Sequence, residues 1–187
     1  MTTKAMRRAD RELRQEINRQ IDLVYGAGGI ALHNIYGFGE KRVAAVFEQV
    51  QNIWLECGSD IRLSMPQMLE DETGIELRES ETGKSWHDFK FFQYDPDEKL
   101  PTAPEYILMR KRQKQWMPVA VLAAFLLALH RMYGFGTERL QRVAEGITEE
   151  QTGYRHNPAA LRKACKETTG VAIEEEVNDR KSVPVAV

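Results

Sequence analysis

Apolar residues in this chain recur mostly at three- and four-residue spacing, the pattern of helices that bury one face. Ala9, Leu13, Ile17, Ile21 and Val24 form one such stripe and predict an amphipathic helix over 4–24. Further helices are predicted over 30–36, 39–57, 66–73, 104–117 and 118–133, with Pro118 beginning or kinking the last. Gly26-Ala27-Gly28-Gly29 leaves two readings open. It is either a flexible break or the middle of a bent helix, where each glycine costs about 1 kcal/mol relative to alanine. Trp86, Phe89, Phe91, Phe92 and Tyr94 crowd one segment, and their near-alternation before Asp95-Pro96-Asp97-Glu98 predicts a short strand or hairpin, whose rings either pack onto the helical units or form an exposed platform for a partner.

The pattern also repeats. Residues 31–46, from Ala31-Leu32-His33 through Tyr36-Gly37-Phe38-Gly39 and Arg42 to Val46, return 97 positions later at 128–143. Nine of those sixteen positions are identical, and Ile35/Met132 and Val43/Leu140 exchange one apolar residue for another. Thr73-Gly74-Ile75 returns as Thr169-Gly170-Val171 at an offset of 96. Self-similarity of this kind marks a duplicated structural unit. The predicted fold is therefore mainly α, with two duplicated helical units joined by an aromatic-rich insert that holds a short β-hairpin. Residues 1–77 are the N-terminal helix and first unit, 78–103 the insert, 104–175 the second unit and 176–187 a fraying tail.

Composition narrows the function classes. The 187 residues are 42% hydrophobic, enough for a packed core. A formal charge of −2 gives no global attraction to nucleic acid, so any such binding needs a local patch. Cys57 and Cys165 are too few for a disulfide framework and lack metal-ligand spacing. The N-terminus has no apolar run behind it, and Met117–Leu129 is shorter than the roughly 20 residues a bilayer requires. The expectation is a cytoplasmic protein with no membrane partner.

Candidate chemistry concentrates at the two corners. In Gly37-Phe38-Gly39 and Gly134-Phe135-Gly136 the first glycine reverses the chain and the ring fills the angle between helices. Free amides at the start of the following helix carry partial positive charge and form an anion site, with Arg42 and Arg139 beside them. The simpler reading is a tight helix–helix corner without a ligand. His33 and His130 recur four residues before each corner, yet neither has Cys, Asp or Glu at ligand spacing, so each is read as packing its own corner. Basic residues also collect at Arg7, Arg8, Arg11, Arg14 and Arg19 on the first helix and at Arg110-Lys111-Arg112-Gln113-Lys114 on a later one. Such faces are either solvated or directed at phosphate or a partner. Paired carboxylates, a nucleophile with a base, and a metal cluster are all missing from the pattern, which points away from an enzyme and implies no cofactor.

The corner resembles the helix-hairpin-helix motif, Gly-hydrophobic-Gly followed by an apolar residue, here Val43 and Leu140. That resemblance assigns phosphate contact to Gly37, Gly39, Gly134 and Gly136, with Arg42, Arg131, Arg139 and Arg142 nearby. It departs from the motif in its large central Phe and in Tyr36 and Tyr133, where proline is frequent. Over most of its length the chain is also similar to small phage and mobile-element proteins of Gram-positive bacteria. These carry the Ala-Leu-His…Gly-Phe-Gly-x-x-Arg unit and a Thr-Gly-Val/Ile segment. That similarity implies a non-catalytic inhibitor of host defence that blocks a host protein such as an RNA-guided nuclease, as anti-CRISPR proteins do. Its contacts would be Arg110, Lys111 and Arg112 and the aromatics Trp86, Phe89 and Phe91. Direct sequence-independent DNA binding through the corners is the alternative. A homodimer is expected if Phe89, Phe91 and Phe92 are exposed.

Overall fold

The computed structural model describes residues 3–57, 61–78, 83–88 and 102–174. Six α-helices carry the fold: α1 (Lys4–Tyr36), α2 (Glu40–Cys57), α3 (Ile61–Thr73), α4 (Ala103–Tyr133), α5 (Thr137–Gly153) and α6 (Pro158–Thr169). Among the described residues there is no β-strand. One isolated antiparallel bridge joins Arg78 to Ser85, beside a 3-10 turn at Trp86–Asp88. The expected hairpin and the rings Phe89, Phe91, Phe92 and Tyr94 lie outside the described residues, as does the tail beyond 174.

Of the two readings at Gly26-Ala27-Gly28-Gly29, the helix that runs through them holds. Helix α1 runs unbroken for 33 residues through Gly26, Gly28 and Gly29. The reason is contact: a Cβ on Gly26 would lie 2.8 Å from the Leu161 Cβ. On Gly28 it would lie 2.4 Å from the Phe125 ring, and on Gly29 2.6 Å from the Cys165 Sγ. These glycines let α4 and α6 approach the α1 backbone, and that packing outweighs their poor helix propensity. Likewise α4 continues through Pro118, and α3 begins at Ile61 rather than near 66, with Pro66 inside it. Proline removes one helical hydrogen bond, but residues Trp116, Met117 and 119–121 are buried around Pro118 and hold the helix in place.

Local signals agree with the helix ends. The Thr3 hydroxyl accepts from the Met6 amide at 3.2 Å. Thr102 and Glu105 form a capping box, and Asn157 caps α6. Gly37, Gly134 and Gly170 close helices α1, α4 and α6 in the left-handed conformation, with φ of 64°, 61° and 85°.

The two units, α1–α2–α3 and α4–α5–α6, share their element order and their terminal devices. Thr73 donates to the Leu69 carbonyl and accepts from the Ile75 amide; Thr169 does the same with Cys165 and Val171. The units interleave. Helix α1 packs on α4, α5 and α6, while α4 packs on α2 and α3. Helices α1 and α4 run parallel and nearly in register: Asp10 meets Arg110, Gly28 meets Phe125, and Tyr36 meets Phe135. One shared core results, with Trp116, Phe125, Leu32, Ile53 and Met65 among its largest fully buried side chains.

By length and composition α4 is the one helix among the described residues able to cross a membrane. Two thirds of its apolar window is covered by the other helices.

Gly28→Ala drives a methyl into the Phe125 ring and is expected to destabilise the fold by about 1–3 kcal/mol in urea unfolding. Phe125→Leu in the same chain should recover part of that loss. Simple additivity of the two would show that the contact is unimportant.

Candidate nucleic-acid interface

The corners face each other at one end of the molecule. Phe38 and Phe135 are buried, and the rings exchange partners: Tyr36 packs on Phe135 at 4.9 Å and Phe38 on Tyr133 at 5.0 Å. Each histidine holds its own turn, through His33 Nδ1 to the Phe38 carbonyl at 3.0 Å and His130 Nδ1 to the Phe135 carbonyl at 2.9 Å.

The amides that close the preceding helices are engaged. Gly37 and Phe38 donate back to the His33 and Leu32 carbonyls, and Gly134 donates to His130. Arg42 reaches back to donate to the Gly37 carbonyl at 2.7 Å and stacks over Phe38 at 4.5 Å. Arg139 repeats this with the Gly134 carbonyl at 3.1 Å and Phe135 at 4.8 Å. Glu40 and Glu138 sit in the first turns of α2 and α5, where their charge opposes a second anion. Arg131 is clamped between Glu56 at 2.8 Å and Glu72 at 2.7 Å, and Arg142 is exposed on α5. These contacts brace each corner.

The other end differs. Contacts of α1 with α5 and α6 fall on its C-terminal half, as with Asp22–Arg162, Gly26–Leu161 and Asn34–Glu150. Residues 4–19 pack instead beside 103–116 of α4 and form a two-helix arm. Its seam is polar where the helices meet. Arg110 pairs with Asp10 at 2.8 Å and donates to Gln113 at 2.9 Å and Tyr106 at 2.7 Å. Tyr106 in turn donates to Asp10 at 2.6 Å. Burial and the Asp10 hydrogen bond push the Tyr106 phenol up. With its side chain 8% exposed, Arg110 is a structural residue and not the surface contact expected of it. Lys111 and Arg112 are exposed beside it.

The arm is strongly basic. Ten cations (Lys4, Arg7, Arg8, Arg11, Arg14, Arg19, Arg110, Lys111, Arg112, Lys114) stand against four carboxylates (Asp10, Glu12, Glu16, Glu105). Its formal charge is +6 in a chain of −2, so the rest carries −8. A groove of about 240 Å³ between the helices is lined by Arg8, Glu12, Lys111 and Lys114 over Ala9, Leu13 and Ile107. The Arg8 hydrogen bond, with the charges of Arg8, Lys114 and Lys111, holds the Glu12 carboxyl below its usual range.

The predicted site residues thus fall at opposite ends of α1. From Arg11 to Gly37 the helix rises about 39 Å. Sequence reasoning named Lys111 and Arg112 as contacts, and both are exposed on the arm; it noted the α1 arginines and Lys114 as basic without joining the two runs, and left Lys4 out. The signal was present: the basic runs 4–19 and 103–116 occupy equivalent places in the two units. Trp86, a candidate aromatic contact, follows the packed reading: it is buried and donates its indole N–H to Glu70 at 2.6 Å. The Cys165 thiol is buried and pushed up by burial, unsuited to act as a nucleophile. Among the described residues no His, Cys, Asp and Glu converge as a metal site.

Comparisons with protein-family models, curated proteins and solved structures find no match to this chain.

Asp10→Ala leaves Arg110 buried without its carboxylate. The expected cost is on the order of 2 kcal/mol in denaturant melts, below that of a fully buried pair because Asp10 retains some solvent contact. At the corner end, the Arg131 hydrogen bond holds the Glu72 carboxyl below its usual range. The stabilisation this gives is present above the unfolded-state pKa and is lost as pH falls through the lower folded value. Glu72→Gln should accordingly flatten the acid limb of a stability–pH profile, and an unchanged limb would show the clamp to be energetically silent.

Proposed function

We propose that the protein is a non-catalytic nucleic-acid-binding protein that grips phosphates through the basic two-helix arm. The observation that supports this most is the concentration of +6 on the arm of a chain with a net charge of −2. Positive charge complements the nucleic acid itself. A plug for the substrate cleft of a nuclease would instead present a negative face to a basic cleft. The matching corners support reading the two units as copies of one ancestral unit. Within the similarity to phage and mobile-element proteins, such a grip would cover the nucleic acid that a host enzyme such as an RNA-guided nuclease must reach. That is a stoichiometric block with no chemistry on the substrate.

Fluorescence anisotropy on a 30-base-pair DNA duplex tests this reading. With about five phosphates engaged, affinity should fall by roughly two to three orders of magnitude between 50 and 200 mM salt. Replacing Arg7, Arg11, Arg14, Lys111 and Lys114 together by Gln should abolish binding, and Arg42→Gln with Arg139→Gln should retain it. The reverse ranking would return the function to the corners, and a wild-type protein that fails to bind at 50 mM salt would end the proposal.

A further inference from the structure

Charge alone requires only that the arm be positive. The N-terminal half of α1 adds shape and a particular set of side chains. At about 100° per residue, Lys4, Arg7, Arg11 and Arg14 fall within about 80° of one another, with Gln15 at the edge of that arc. Ala9 and Leu13, which face the body, lie on the far side of the helix. All five outward residues are exposed. The carboxylates of this half are held off the stripe. Asp10 is engaged by Tyr106 and Arg110, Glu12 by Arg8 at 2.7 Å, and Glu16 by Arg19 at 3.2 Å and Gln20 at 2.7 Å. No ion pair joins Arg7, Arg11 or Arg14 to a carboxylate among the described residues.

A single α-helix is about 10–12 Å across, and the major groove of B-form DNA is about 12 Å wide. The stripe rises about 15 Å from Lys4 to Arg14, under half of one turn of B-form DNA. Arginine and glutamine are the side chains that pair bidentately with guanine and adenine edges. Arg8, Lys111 and Lys114 line the groove toward α4, beside the stripe.

We infer that residues 4–15 of α1 are a recognition helix that seats in the major groove of B-form DNA. Arg7, Arg11, Arg14 and Gln15 face base edges, and Arg8, Lys111 and Lys114 face the adjoining backbone. This rests on the arm being the nucleic-acid surface, and adds duplex type, groove and base contact to it. A-form RNA has a deep, narrow major groove that side chains do not read, so the inference separates DNA from RNA.

The test uses the full chain and three 20-base-pair probes of one guanine-containing sequence: DNA, RNA, and DNA with 7-deazaguanine in place of guanine. The last lacks the N7 acceptor in the major groove at unchanged phosphate charge. At 150 mM salt the DNA duplex should bind at least about tenfold tighter than the RNA duplex. The 7-deaza probe should bind about five- to a hundredfold weaker than unmodified DNA. Arg11→Lys, which keeps the charge, should lower affinity for DNA and leave the salt slope unchanged, with circular dichroism confirming an intact fold. Equal binding to all three probes, with Arg11→Lys silent, would overturn the groove assignment and leave the phosphate grip standing. Loss of binding to every probe at low salt would remove both.

Discussion

The structure depends on how closely α1 and α4 approach each other. Two helices of 33 and 31 residues lie side by side, parallel, with the Phe125 ring against the bare backbone at Gly28. Equivalent positions of the two units meet there, one without a side chain and one with a large ring. That pairing sets the register, and the register brings Asp10 to Arg110 at one end and the two corners together at the other. Gly26 and Gly29 admit α6 in the same manner, so the second unit closes over the first helix of the first unit. The two units therefore share one core.

Parallel alignment has an electrostatic consequence. Each unit begins with a basic stretch, and antiparallel packing would have set the two apart at opposite ends. Parallel packing places them together and gives one arm a charge of +6. Like charges this close repel, and the arm is held by the partly buried Asp10–Tyr106–Arg110–Gln113 seam and by small apolar residues such as Ala9. A polar seam of this kind also favours one alignment over slipped ones, because a shift of one turn would strand Arg110 in the interior without a partner.

The corners show the same local chemistry spent on the fold. Each Gly-Phe-Gly turn satisfies its own helix end, and each arginine returns to the turn's carbonyl and ring. The amides that follow α1 and α4 turn inward to close those helices. The exchange of rings between Tyr36, Phe38, Tyr133 and Phe135 then locks the units together.

Helix periodicity, the repeat and the glycine-closed corners were legible in the sequence because they are local: spacing, αL glycines and caps act over a few residues. His33 and His130 were likewise readable as packing residues, since each bonds within its own turn. The continuity of α1 through its glycines was not settled locally: a break and a bent helix both fitted them, and contact with Leu161, Phe125 and Cys165 decides for the helix. Nor was the fate of each arginine legible. Arg110, Lys111 and Arg112 are neighbours of equal charge in the sequence, yet the first is buried in a seam and the others face water. The sequence by itself determined which segments are helical and where they turn. Only the tertiary structure decided that two distant basic runs become one surface, because charge adds in space and the chain order does not say which helices will lie together.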